Sequence, residues 1–199
     1  MTYVYWITGL SGAGKTSIGT LLYEKIKQKY PNTVFLDGDV LREVFGNDLG
    51  YTRDERMKCA MRYARLCKML QAQEMNVICC TISMFDDIRS WNRENVGNYR
   101  EIYVRVSMEV LKKRNQKGLY STSMEVLKKR NQKGLYSTSM EESTKRNKTG
   151  LDSPSVENKE VAGIHVDIEE PRNPDMILDN EGNVSVMELV NRMIEKFGI

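Results

Sequence analysis

At 199 residues, with 40% hydrophobic and 29% charged side chains, the chain suits a single domain spanning residues 1–199, with a sizeable core and at most an added lid. No apolar run approaches membrane-spanning length and no basic-then-apolar leader precedes the first strand-like run, so a soluble, cytoplasmic protein without a membrane partner is expected. The net charge of +3 has a local source: residues 107–122 (SMEVLKKRNQKGLYST) recur unchanged at 123–138, each copy carries four cations against one acid, and a chain with one copy fewer is neutral, so no nucleic-acid partner is expected.

Residues 3–8 (YVYWIT) are β-rich and lead directly into Gly9, Leu10, Ser11, Gly12, Ala13, Gly14, Lys15 and Thr16. These eight fit the phosphate-loop pattern G-x-x-x-x-G-K-[ST], in which backbone N–H groups form a nest for phosphate oxygens, the lysine reaches the outer phosphates and the Thr16 hydroxyl can hold Mg²⁺. Ile18, Leu21, Leu22 and Ile26 then recur at helical spacing, so strand, loop and helix stand in the order an anion site at a helix N-terminus requires. A dinucleotide-binding fingerprint is disfavoured, because the glycines run G-x-x-G-x-G.

Residues 33–36 (TVFL) form a short strand ending in Asp37-Gly38-Asp39. Two readings of these acids stand side by side: a place beside the phosphates, where one of them helps hold Mg²⁺ or the accepting hydroxyl, or a tight turn that caps a helix over 40–45. Thr52 starts a helix running to about residue 74, with Asp54 and Glu55 in its first turn and an inward stripe of Met61, Ala64, Leu66, Cys67 and Leu70. Arg56 and Arg62 near its start can reach an anionic substrate.

Residues 76–83 (NVICCTIS) read as a buried parallel strand. It ends in Ser83 and not in an aspartate, which weighs against a motor-type or switch-type NTPase. Cys59, Cys67, Cys79 and Cys80 lack C-x-x-C spacing and read as buried thiols, and the lone His165 excludes paired-histidine metal sites. A helix is expected over 85–99 with Arg89 and Arg93 on one face, then a strand over 101–106, and a helix over 108–114 in the first repeat copy. Residues 139–160 are polar and read as a mobile lid loop, followed by a strand over 176–178 and an amphipathic helix over 185–197. This order predicts an α/β fold, a three-layer α/β/α arrangement of P-loop NTPase type with a parallel sheet and a lid carrying the 16-residue duplication.

Six segments, WITGLSGAGKT, FLDGD with Arg42, NDLGY with Arg56, TIS with Phe85, KRNQKGLY and EEPRNPDMILDN, together resemble the adenylylsulfate kinases, P-loop enzymes that phosphorylate the 3′-hydroxyl of adenosine 5′-phosphosulfate. The resemblance implies ATP and Mg²⁺ as cofactors, a small nucleotide as acceptor, a role in sulfate assimilation and a homodimer, although no interface is legible in the residues. It makes Lys15, Asp37, Asp39 and Ser83 catalytic, with Thr16 and Asp39 preferred at the metal, and assigns Asp39, Arg42, Tyr51, Arg56, Cys59 and Ser83 to the acceptor. Ser83 takes the place of a serine described in the family as a phosphoserine, and Lys117 matches the lid lysine, with its duplicate Lys133 competing for the role. An ordinary carboxylate is a weak base at neutral pH, so Asp39 is expected to orient the hydroxyl more than to remove its proton early.

The departures from the family fall in the acceptor pocket. Tyr51 keeps the first of two rings that hold the acceptor adenine, but the second falls on Lys148 or Val161; Cys59 replaces an asparagine, Met61 an arginine, and Ser83-Met84-Phe85-Asp86 replaces Ser-Pro-Phe-Arg. One lost ring removes about 1 to 3 kcal/mol of base stacking, enough to change base preference. A branch of the family acts on cytidine diphosphoramidate in capsule biosynthesis, so either acceptor is expected, the sulfate ester ahead on family numbers alone. From another class, a non-catalytic ATP-binding module is opposed by the complete set Lys15, Thr16, Asp37 and Asp39, and a GTP switch by the lack of an N-K-x-D motif.

Overall fold

The computed structural model of the chain describes residues 1–114, 162 and 166–199. Five strands, β1 (Val4–Thr8), β2 (Thr33–Asp37), β3 (Asn76–Thr81), β4 (Tyr99–Arg105) and β5 (Met176–Asp179), form one sheet in the order β2-β3-β1-β4-β5. Every neighbouring pair is parallel. Helices α1 (Lys15–Lys29), α2 (Gly38–Val44), α3 (Arg53–Ala72), α4 (Asp86–Asn95) and α5 (Met108–Arg114) lie in the connections, and α6 (Val186–Phe197) follows the last strand. No helix among the described residues is long and apolar enough to cross a membrane.

Both faces of the sheet are covered, which is why β1 and β3 are buried at every position and their apolar residues do not alternate with exposed ones. Tyr5, Ile7, Ile78, Cys80, Ile102 and Val104 point to one side, where Ile18, Leu22 and Ile26 of α1 and Leu189, Val190 and Met193 of α6 pack on them. Val4, Trp6, Val77, Cys79 and Tyr99 point to the other, against Cys59, Ala60, Tyr63, Ala64 and Cys67 of α3 and Ile88 of α4. The four cysteines are free and buried, as their spacing predicts. Helix α1 lies so close to the sheet that a Cβ on Gly19 would sit 2.3 Å from Cys80 Sγ.

Three sequence-based boundaries shift. The helix expected over 85–99 ends at Asn95, because Tyr99 already pairs with Val4 at the start of β4. The strand expected to reach Ser83 stops at Thr81, so Ser83 lies in the connection to α4. The inward face of α3 turns slightly from the expected stripe: Ala64 and Cys67 are buried as expected, with Cys59, Ala60 and Tyr63, while Met61, Leu66 and Leu70 are only partly covered. Residues 108–114 of the first repeat copy form α5 directly after β4, with Leu111 buried beside Leu10, Met84 and Tyr103. The remainder of that copy, the whole second copy and the expected lid loop, with Lys117, Lys133, Lys148, Val161 and His165, lie outside the described residues.

Candidate active site

The connection after β1 runs to α1 on one face of the sheet, and that after β3 runs to α4 on the other. These neighbouring strands therefore part at their carboxyl ends and leave a crevice, the usual place for a ligand in an open α/β sheet. A cavity of about 350 Å³ opens there. Its walls come from Ser11, Gly12, Gly14, Lys15 and Thr16 of the phosphate loop, the Asp37-Gly38-Asp39 turn, the start of α3 and the Thr81–Phe85 connection.

The loop is held from below. Gly9, Gly12 and Gly14 have φ of 150°, 79° and 97°. At Gly14 a side chain is excluded twice, by this left-handed backbone and by Asn180 Nδ2, 2.6 Å from where a Cβ would stand. That Asn180 amide, itself buried, donates to Ala13 O at 2.8 Å, while Arg114 donates to Asn180 O at 2.7 Å and to Gly12 O at 3.3 Å. Lys15 Nζ donates to Leu10 O at 2.8 Å, so its ammonium is curled over the loop. Gly9, Leu10 and Ala13 do not line the cavity; they shape the loop, with Leu10 and Ala13 packed in the core. Thr8 Oγ1 donates to Ser83 O at 3.2 Å and joins the ends of β1 and β3. Burial pushes the Cys80 thiol up to about 12, so it stays protonated and donates to Lys15 O at 3.3 Å.

Asp37 answers the two readings of its turn at once. Its Oδ1 accepts the Asp39 N–H at 2.9 Å and caps α2, while its Oδ2 accepts from Thr16 Oγ1 at 2.8 Å. The structure therefore pairs Thr16 with Asp37, where the sequence favoured Asp39, which lines the same cavity further along. Two hard oxygens side by side at a phosphate loop suit Mg²⁺, which takes few protein ligands and leaves the remaining positions to phosphate and water. No group of three or more His, Cys, Asp or Glu fit for a metal occurs among the described residues.

The acceptor side is built by α2, α3 and the loop between them. Thr52 and Glu55 form a capping box that sets the start of α3 and so aims Arg56 and Cys59 into the cavity. Arg42 donates to Leu49 O and Gly50 O, Arg56 donates to Tyr51 O at 2.7 Å, and both guanidiniums lie over the Tyr51 ring, 4.5 and 5.2 Å from its centroid. Arg42, Tyr51 and Arg56 are thus brought together as expected. Arg62 is instead drawn away, paired with Asp48 at 2.7 Å, and this contact holds the Asp48 carboxyl below the usual carboxylate range. Cys59 is buried and its thiol faces Tyr63. Ser83 lines the cavity with its Oγ buried and without a hydrogen-bond partner among the described residues.

Sequence reasoning missed Tyr63, Asn180, Arg114 and Glu169. Tyr63 is one helical turn beyond Cys59, and the i, i+4 spacing was the available signal. Glu169 accepts from Arg53 at 2.7 Å and from the Asp86 N–H, and its own N–H donates to Met84 O at 2.9 Å, tying the chain before β5 to both acceptor walls. Only its place in EEPRNPDMILDN hinted at this role.

The family model for adenylylsulphate kinase matches residues 1–126. The cytidine diphosphoramidate kinase of Campylobacter jejuni is 50% identical over 119 residues, 60% of this chain and 69% of that relative. A probable adenylyl-sulfate kinase of Archaeoglobus fulgidus is 31% identical over 186 residues, 92% of this chain and 99% of that one. Among solved structures, the Mycobacterium tuberculosis APS kinase CysC in complex with AMPPNP and APS shares the fold, with a TM-score of 0.77 at 23% identity over 100% of this chain and 98% of its own. Phosphate loop, parallel sheet order and sequence relatives agree, and the chain belongs to the adenylylsulphate kinase family.

Proposed function

We propose that the chain transfers the γ-phosphoryl group of ATP to the ribose 3′-hydroxyl of a nucleotide acceptor, and that this acceptor is cytidine diphosphoramidate. The observation that carries the transfer is the single cavity in which the phosphate loop and the Thr16–Asp37 pair face Arg42, Tyr51 and Arg56. Donor and acceptor groups thus converge on one crevice. Phosphoryl transfer passes through a loose transition state, so positioning and charge stabilisation supply most of the rate.

In this reading the loop N–H groups and Lys15 hold the ATP phosphates. Thr16 and Asp37 hold Mg²⁺, which when bound offsets phosphate charge. Asp39 orients the acceptor hydroxyl, Arg42 and Arg56 grip the acceptor's charged end, and Tyr51 stacks on its base. Ser83, whose buried Oγ has no partner among the described residues, hydrogen-bonds the acceptor. Lys117 or Lys133, both outside the described residues, supplies the family's lid lysine.

The choice of acceptor reverses the order that family numbers alone suggest. Tyr51 is the one ring kept of the two that would hold an adenine, which favours a smaller pyrimidine over a purine, and a cytidine diphosphoramidate kinase is 50% identical over 119 residues, 60% of this chain. Adenosine 5′-phosphosulfate remains the second reading, supported by the match to the probable adenylyl-sulfate kinase over nearly its full length.

A coupled ADP-release assay with Mg²⁺-ATP decides, offered each acceptor in parallel. Turnover with the cytidine compound alone supports the proposal and places the chain in capsule biosynthesis. Turnover with the sulfate ester alone transfers it to sulfate assimilation. ATP binding with no turnover on either acceptor sinks the proposal in favour of a non-catalytic nucleotide-binding module.

A further inference from the structure

Helix α2 carries both Asp39 and Arg42, yet it has only seven residues. An isolated helix of that length does not hold itself together in water, so contacts from elsewhere must fix its direction. Tyr63 of α3 supplies them at both ends. Its hydroxyl lies 3.0 Å from the Gly38 carbonyl in the first turn of α2, and its ring stacks on Phe45 at the C-cap, with centroids 6.1 Å apart and planes 19° from parallel. The side chain is only 4% exposed, so little else competes for either contact.

The direction of the hydrogen bonds follows from the chemistry. A carbonyl can only accept, so the Tyr63 hydroxyl must give its one proton to Gly38 O. Cys59 Sγ, 2.8 Å from the Tyr63 hydroxyl oxygen, is then the donor to Tyr63. The result is an ordered relay, Cys59 S–H to Tyr63 O–H to Gly38 C=O, that begins in the acceptor wall and ends between Asp37 and Asp39. Burial keeps the phenol protonated throughout the physiological pH range, so the donor is always present. A Cβ on Gly38 would stand 3.1 Å from Cys80 O, which shows that the turn is also pressed against the end of β3 and has little room to adjust by itself.

We propose that Tyr63 is a positioning residue for phosphoryl transfer: through Gly38 it fixes Asp37 and Asp39 relative to the acceptor wall, with Cys59 setting the direction of its proton. The proposal rests on the kinase reading given above and adds a specific residue to it.

The test uses the full chain with Tyr63→Phe, which keeps the ring on Phe45 and removes only the hydroxyl. With the acceptor that the wild type uses, kcat is expected to fall about tenfold, as the loss of one hydrogen bond of ordinary worth allows. The KM for ATP should stay near the wild type, and the melting temperature should fall by only a few degrees, as for the loss of one buried hydrogen bond. Cys59→Ala removes the donor to Tyr63 and should lower kcat in the same direction as Tyr63→Phe. An unchanged kcat in Tyr63→Phe, or a fall that merely follows loss of folded protein, overturns the proposal. If the wild type turns over neither acceptor, the kinase reading fails, and amide exchange judges the relay separately. Faster exchange confined to residues 38–45 in Tyr63→Phe supports it, and unchanged exchange there overturns it.

Discussion

Replacing Asp37 separates the structural duty of its carboxylate from its chemical one, because the two oxygens make different bonds. Oδ1 caps α2 by accepting the Asp39 N–H at 2.9 Å, and Oδ2 accepts from Thr16 at 2.8 Å. Asp37→Ala removes both, and loss of an N-cap costs about 1 kcal/mol within a range of about 0.5 to 2. For a chain of this size that lowers the melting temperature by about 2 to 4 °C. Asn is as good an N-cap as Asp, so Asp37→Asn should keep the cap and the melting temperature while losing the negative charge beside Thr16. If that charge helps hold Mg²⁺ at the phosphates, both variants should lose about 10²- to 10³-fold in kcat, the usual effect of removing one preorganised electrostatic group. Urea denaturation followed by circular dichroism reads the first quantity and Mg²⁺-dependent ADP release the second. Asp37→Asn as unstable as Asp37→Ala, or Asp37→Asn with wild-type turnover and Mg²⁺ dependence, would refute the division of labour.

Further outcomes follow from the same geometry. Gly14→Ala forces a Cβ into a left-handed residue 2.6 Å from Asn180 Nδ2, a strain of about 1 to 3 kcal/mol, and calorimetry should show ATP affinity lowered tenfold or more with the fold retained. Glu101, ion-paired with Arg93 at 2.7 Å and Arg89 at 3.4 Å, has its carboxyl raised above the ordinary range by burial, which outweighs both arginines. A raised folded value means that the folded state binds the proton more tightly, so this group's contribution to stability falls as pH rises from about 4.3 to that value, and Glu101→Gln should flatten the slope of stability against pH. Glu101→Ala should cost about 3 kcal/mol in urea denaturation, the low end for breaking a buried pair, because Arg89 keeps its partner Asp86. Deleting residues 123–138 should leave turnover largely intact, since the first copy already supplies α5; an unfolded product would show that both copies are structural.

Much of the molecule is determined by the sequence alone. The phosphate loop, β1 and α1 are legible because the glycine spacing, the apolar run and the i, i+4 pattern all act between near neighbours. The same holds for α6, where Ser185 caps a helix whose Leu189, Val190 and Met193 are buried as their spacing predicts. Sheet order, the choice of Asp37 to meet Thr16, and the coupling of Asn180 to Ala13 were decided only by the tertiary structure. The last two join residues 21 and 167 positions apart, and no local periodicity encodes such a distance. The inward face of α3 is an intermediate case. Met61, Leu66 and Leu70 are apolar yet only half-covered, so hydrophobicity could not rank them below Tyr63, whose hydroxyl had no visible partner until Gly38 was folded beside it. A side chain's type states what it can bond to; which partner it meets depends on where the sheet sets down the ends of its strands.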